Sequence, residues 1–215
     1  MSENSVKLLE KYFSLTDSQR TAYESMRGVY EKWNSQINVI SRKDIDNFYT
    51  RHVLHSLAVA KVQGFESGQR VLDLGCGGGF PVVPLATLYS DVEFTAVDSI
   101  GKKITVVKAA AEELSLSNVE AHHCRVEALD GQWDWLVSRA VAPLSELMKW
   151  SEGKWTKGML LLKGGDLSEE IKAAGFSLTS SGLYRSRGGG EVEVIDISTF
   201  FEDEFFETKK VVVVR

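Results

Sequence analysis

Cysteine is scarce here: only Cys76 and Cys124 occur among 215 residues. Two thiols make no disulfide framework, so a reducing, cytoplasmic setting is expected. Neither belongs to a C-x-x-C pair. The adjacent His122 and His123 fall on an expected strand, where neighbours point to opposite faces. No metal site is expected. No apolar run reaches the length of a membrane span. The opening "MSENSVKLLEKYF" lacks a basic segment followed by an apolar one, so no secretory signal is expected. Positive charge is also short: 25 Lys and Arg face 30 Asp and Glu, a net charge of −5. That argues against a protein that grips nucleic acid by overall charge, though not against a local basic face. There is no internal repeat and no low-complexity tract.

What is present reads as one sizeable globular unit, with 43% apolar and 26% charged residues. Residues 1–62 read as a helical extension. Thr16-Asp17-Ser18-Gln19 is a start signal, and Tyr23, Met26, Val29, Tyr30 and Trp33 follow at helical spacing. "RHVLHSLAVAKV" reads as a second helix. From Gln69 short strand-like runs alternate with helical ones: "RVLDLG", "VEFTAVD", "NVEAHHC", "WDWLVSRA" and "GMLLLKGG". Helices are expected between them from about Phe80, Lys102 and Pro143. This alternation predicts an α/β fold with a parallel sheet covered on both faces. At the end, "EVEVIDISTFF" and "TKKVVVVR" have no helix between them and should pair antiparallel. Residues 63–215 are expected to form the main domain, one compact unit with the extension.

The stretch "VLDLGCGGGFPVVPLA" places Gly75, Gly77, Gly78 and Gly79 between an expected strand and helix. A strand, glycine loop and helix in that order make a nucleotide-type cofactor site. The dinucleotide pattern G-x-G-x-x-G would put its third glycine at position 80, which is Phe80. Asp98 ends the second strand, where an acid accepts hydrogen bonds from a ribose diol. The plainer alternative is a tight turn with Asp98 as a helix cap. Of the adenosine cofactors, NAD suits the dinucleotide spacing. S-adenosylmethionine has no phosphates and needs no anion cradle. The off-pattern Phe80 and the antiparallel ending favour S-adenosylmethionine, on a class I methyltransferase (Rossmann-like) sheet.

Seven motifs in order then resemble one family. They are "WNSQINVISRKD", "RHVLHSL", "VLDLGCGGGFPVVPLA", "FTAVDSIGKK", "HCRVEAL", "WDWLVSRAVAPL" and "LLKGG". Together, over roughly Trp33 to Gly165, they resemble the RsmG (GidB) family. That resemblance implies methylation of N7 of one guanosine in the 530 loop of 16S rRNA. It implies that Gly75, Gly77, Gly79 and Phe80 form the cofactor loop, Asp98 binds ribose, and Val126 and Glu127 lie against adenine. Arg139 is implied beside cofactor and target. Lys163 matches the "LKG" lysine, and Arg51 and His52 match the "RH" pair. His55 stands where many members have Asp, and Ser41-Arg42-Lys43-Asp44 is looser than the usual connector.

The residues fit that chemistry independently. Guanine N7 carries a lone pair and no proton, so alignment and water exclusion should suffice without a general base. The Asn/Asp-Pro-Pro-aromatic motif of exocyclic amine methylation is absent, and no cysteine follows a proline as in pyrimidine C5 methylation. Expected RNA-facing positives are Arg42, Lys43, Arg51, His52, Arg125, Arg139, Lys163, Arg185 and Arg187. "YRSRGGGE" reads as a flexible loop, either a phosphate-contacting flap or a solvated turn. Arg139 as a plain strand-end ion pair, and Lys102 and Lys103 as solvated, remain open. The partner expected is 16S rRNA in the small ribosomal subunit or its precursor. The rival functions are a methyltransferase of the same fold acting on a small molecule or protein, and a non-catalytic S-adenosylmethionine-binding regulator.

Overall fold

A computed structural model describes residues 5–41, 44–139 and 141–215. The chain opens with α1 (Val6–Glu10) and α2 (Asp17–Asn34). The start of α2 is fixed by a capping box: Gln19 N–H donates to the Thr16 hydroxyl at 3.3 Å, and Thr16 N–H donates back to Gln19 Oε1 at 2.8 Å. Its buried Tyr23, Met26, Val29 and Tyr30 are the stripe read from the sequence. A 3-10 turn (Ile45–Asn47) and a π-helical turn (Tyr49–Leu54) lead into α3 (His55–Val62).

The alternating part gives β1 (Arg70–Leu74), α4 (Val82–Leu88), β2 (Glu93–Asp98), α5 (Gly101–Glu113) and β3 (Val119–His123). It continues with β4 (Trp133–Arg139), α6 (Leu144–Trp150) and β5 (Trp155–Gly164). After α7 (Ser168–Ala173) come β6 (Phe176–Leu178), β7 (Tyr184–Ser186), β8 (Glu191–Asp196) and β9 (Lys209–Val214). Among the described residues these form one nine-stranded sheet of order β3-β2-β1-β4-β5-β9-β8-β7-β6. The first five are parallel, and β9 returns antiparallel to both β5 and β8. The terminal pair is therefore as expected. The short α7, β6 and β7 extend the fold beyond the sequence reading, and "YRSRGGGE" is β7 with a hairpin turn instead of a free loop.

Strand alternation sorts the core into two layers. Val71, Ala96, Trp135, Val137, Leu160 and Val211 face Leu9, Tyr23, Leu57, Leu85 and Ile104 of α1 to α5. Leu72, Val97, Leu136, Leu161 and Val212 face Leu144, Leu147 and Ile171 of α6 and α7. The N-terminal helices thus share the core that covers one whole sheet face. The chain leaves β1 toward β2 and β3, then returns to place β4 on the other side of β1. In parallel sheets that reversal opens a crevice at the carboxyl ends of the strands. No helix among the described residues is long and apolar enough to cross a membrane.

Candidate active site

The crevice is an open cavity of about 560 Å³ lined by Gly75, Gly77, Phe80, Asp98, Val126, Glu127 and Arg139, among others. These are the expected cofactor residues except Gly79, which lies behind them. Gly77 has φ +58°, and a Cβ there would meet no protein atom, so this position stays open to whatever enters the cavity. Gly78 is different. A Cβ there would stand 2.6 Å from Cβ of Val39, so the loop after α2 is what excludes a side chain. Asn34 holds that loop in place: its Oδ1 accepts from Val39 N–H at 2.8 Å and Ile40 N–H at 2.9 Å. Its Nδ2 donates to the Ile40 carbonyl at 2.9 Å. Tyr30 donates to the Gly78 carbonyl at 2.8 Å and packs on Phe80 at 4.6 Å between centroids. Part of the glycine run thus serves the helical extension, a role hidden in the sequence because Tyr30 reads as ordinary core.

Asp98 is buried at the tip of β2. One carboxylate oxygen accepts from Gly77 N–H at 3.0 Å and the other from Ile100 N–H at 2.8 Å, with Lys103 Nζ at 3.6 Å. It therefore ties the loop to the start of α5 while lining the cavity. Val126 is buried beside it, and Glu127 is exposed. Asp73, one strand away, is fully buried. Its Oδ2 accepts from Val82 N–H at 3.0 Å, but its Oδ1 has no partner among the described residues. Burial pushes this carboxyl up to about 7, opposed by the Val82 hydrogen bond and the charge of Arg139.

Arg139 ends β4 with its guanidinium 4.9 Å from the centre of the Phe80 ring. Its Nη1 donates to the Arg51 carbonyl at 3.5 Å, and its Nη2 lies 3.4 Å from His52 Nδ1. An arginine can only donate, so that imidazole nitrogen is the bare one and the proton sits on Nε2. Burial, then the charge of Arg139, lowers His52 to about 3. Burial and the same charge push His55 well below its ordinary value. Burial lowers Arg139 only to about 10, so it remains a cation. Arg139 makes no strand-end ion pair among the described residues.

The other expected RNA contacts are not brought together. Arg51 lies beside Arg139 and pairs with Asp44 at 2.6 Å. Arg125 is exposed at the cavity. Lys163 is turned inward: its ammonium pairs with Glu170 at 2.6 Å and donates to the Ala142 carbonyl at 2.8 Å. Arg185 pairs with Glu191 at 2.5 Å. It and Arg187 belong to the β7–β8 hairpin, whose turn lies beside Arg215 and the amino end of β5, the end of the sheet away from the cavity. Arg42 and Lys43 lie outside the described residues. No group of three or more His, Cys, Asp and Glu among the described residues could hold a metal ion.

Residues 23–187 match the GidB family model, described as rRNA small subunit methyltransferase G. The chain is 46% identical over 216 residues to ribosomal RNA small subunit methyltransferase G of Christiangramia forsetii, covering 96% of this chain and 95% of that protein. It is 47% identical over 211 residues to that of Flavobacterium johnsoniae, covering 94% of each. Among solved structures, magnesium protoporphyrin IX methyltransferase of Synechocystis PCC 6803 with bound SAH superposes with a TM-score of 0.56 at 16% identity, covering 93% of this chain and 100% of that one. A SAM-dependent methyltransferase from Aquifex aeolicus gives a TM-score of 0.55 at 13% identity, covering 81% and 98%. At such identities these two show the fold alone, the class I methyltransferase sheet. The sequence relatives reach further, aligning nearly end to end across the glycine loop, Asp98 and Arg139, and by them the chain belongs to the rRNA small subunit methyltransferase G (GidB) family.

Proposed function

We propose that the chain transfers a methyl group from S-adenosylmethionine to N7 of a guanosine in the 530 loop of 16S rRNA, within the small ribosomal subunit or its precursor in the cytoplasm. The observation that carries this reading is Arg139. It is a cation held at the carboxyl end of β4, against Phe80 of the cofactor loop and beside a neutral His52.

When bound, S-adenosylmethionine supplies an electrophilic methyl group on a sulfonium. Asp98, Val126 and Glu127 are assigned to its adenosine half, and the open backbone at Gly77 to its close approach. The unpartnered Oδ1 of buried Asp73 offers an acceptor for a cationic amine. The described residues therefore fit this cofactor.

Arg139 is assigned to the target. An arginine donates to O6 of guanine, which leaves the N7 lone pair free to form the new N–C bond. No proton has to be removed first, because N7 carries none. The chain's part is to align N7 and keep water out, and alignment alone is worth roughly 7–11 kcal/mol. His52 stays neutral and keeps Arg139 in place. Analysing 16S rRNA nucleosides by mass from a strain lacking the gene, with and without a complementing copy, tests the reading. One N7-methylguanosine should vanish and return. An unchanged set of methylated nucleosides overturns it.

A further inference from the structure

Beyond the cofactor cavity, a strip of aromatics and cations continues along the carboxyl ends of the strands. Phe80 faces Arg139, Arg139 reaches the backbone of Arg51, and the Arg51 guanidinium lies 5.6 Å from the centre of the Phe205 ring. Lys209 Nζ lies 4.9 Å from the same ring. Lys209 opens β9 and pairs in register with Gly164 at the end of β5, so Phe205 stands at the crevice end of the sheet. Its ring is half-buried. It rests on His55 at 5.4 Å and Phe206 at 5.1 Å, both close to perpendicular, and Asp203 caps its backbone N–H at 2.9 Å. Lys209 has no carboxylate partner among the described residues.

We propose that Phe205 is a stacking platform for a nucleotide flanking the target guanosine, with Arg51 and Lys209 holding its phosphates. The proposal rests on the reading of the chain as an rRNA methyltransferase. Arg51 and Lys209 lie over the Phe205 ring, so a base that stacks there displaces a cation toward the backbone; an aromatic face with cations beside it is how single-stranded nucleic acid is held without sequence readout. The strip starts at the residue assigned to the target base, so a strand threaded along it places one base at Arg139 and a neighbour at Phe205. Glu202, Glu204 and Glu207 are exposed on the same segment. A protein with net charge −5 needs such a local grip.

The test compares Phe205→Leu, which keeps apolar volume without a π face, with Phe205→Trp, which keeps stacking. Methyl transfer to unmethylated small subunits and filter binding to deproteinised 16S rRNA are measured for each. Phe205→Leu should raise KM for the subunit and Kd for the RNA about tenfold. Cofactor affinity and kcat should hold, and Phe205→Trp should stay within about threefold of the parent. Lys209→Ala should flatten the salt dependence of RNA binding by about 0.7 in log–log slope. Unchanged KM and Kd in Phe205→Leu overturn the platform. So does a KM shift on intact subunits with unchanged binding to naked rRNA, because that pattern means contact with a ribosomal protein. If the parent protein itself transfers no methyl to the subunit, the enzymatic reading has failed, and the RNA-binding comparison still decides the platform.

Discussion

Asp73 carries the clearest conflict between stability and use. A fully buried carboxylate with one oxygen unpartnered is costly to keep. Folding raises its pKa from 3.8 to about 7. The folded chain therefore holds the proton more tightly than the unfolded one, so stability falls as pH rises from about 4 to about 7, by on the order of 4 kcal/mol in all, and levels off above that. Asp73→Asn can keep an acceptor for Val82 N–H and removes the charge. It should raise the melting temperature most at pH 8, by a clearly smaller margin at pH 5, and weaken cofactor binding tenfold or more, as thermal scans and calorimetry would show. A mutant with lower stability at pH 8 would mean the carboxylate is satisfied in the free protein. The same group predicts a split in pH dependence. Affinity for S-adenosylmethionine should fall as pH drops through about 7, where Asp73 takes up its proton. Single-turnover transfer at saturating cofactor should stay flat between about pH 6 and 9. His52, lowered to about 3, is neutral across that range, and His55 is lowered in the same direction. A steep acid limb in the saturated rate that disappears in His52→Gln would show that a base takes part.

The elements that the sequence displayed best are those whose contacts are local or whose runs are long. The α2 stripe and its cap, the buried β1, β4 and β5, and the antiparallel β8–β9 pair were legible because periodicity, a capping box and the lack of an intervening helix each leave a local mark. β6 and β7 have three residues each, too few for alternation to register, and they join the sheet edge as two successive short hairpins, β6 on β7 and β7 on β8. Lys163 shows the cost of that blindness. The motif around it suggested an RNA contact, yet its partner Glu170 lies on α7, a helix with no visible stripe. Glu170 Oε1 also accepts from Leu144 N–H at 2.7 Å. The Lys163–Glu170 pair thus clamps Ala142 and Leu144, the residues just after Val141, whose Cγ2 would lie 2.6 Å from a Cβ at Gly75. That segment forms a wall of the cavity beside Arg139. Glu170→Ala strands a side chain that is only 10% exposed. It should cut kcat/KM for the RNA about tenfold or more, with a smaller loss of cofactor affinity. Glu170→Asp should restore part of the loss. Steady-state kinetics alongside calorimetry would check this, and changes below twofold in both would make the clamp incidental.

At the scale of the whole molecule, charge and shape decide what substrate can be held. Among the described residues the cations at the crevice end are Arg51, Lys103, Arg125, Arg139 and Lys209, while Arg185 and Arg187 are spent at the opposite end of the sheet. Composition gave the correct sum, −5, but could not say which positives share a face, because that depends on strand order and direction. With so few cations there is little long-range attraction for phosphate, and each contact on a single strand contributes only about 0.7 to the salt slope. Affinity must then come from a substrate whose loop is already ordered, since an unstructured RNA would charge its ordering cost against a weak grip. The glycine loop is also held from behind, by Tyr30 of α2 and by Val39 of the loop after it. Unmethylated small subunits, deproteinised 16S rRNA and an isolated loop hairpin, assayed together at the same ionic strength, should therefore rank in that order in kcat/KM. The hairpin should fall at least tenfold below the subunit, and its residual activity should be lost at moderate salt. Equal efficiency on the isolated hairpin would show that the grip is stronger than these few cations allow, and that contacts beyond the crevice hold the RNA.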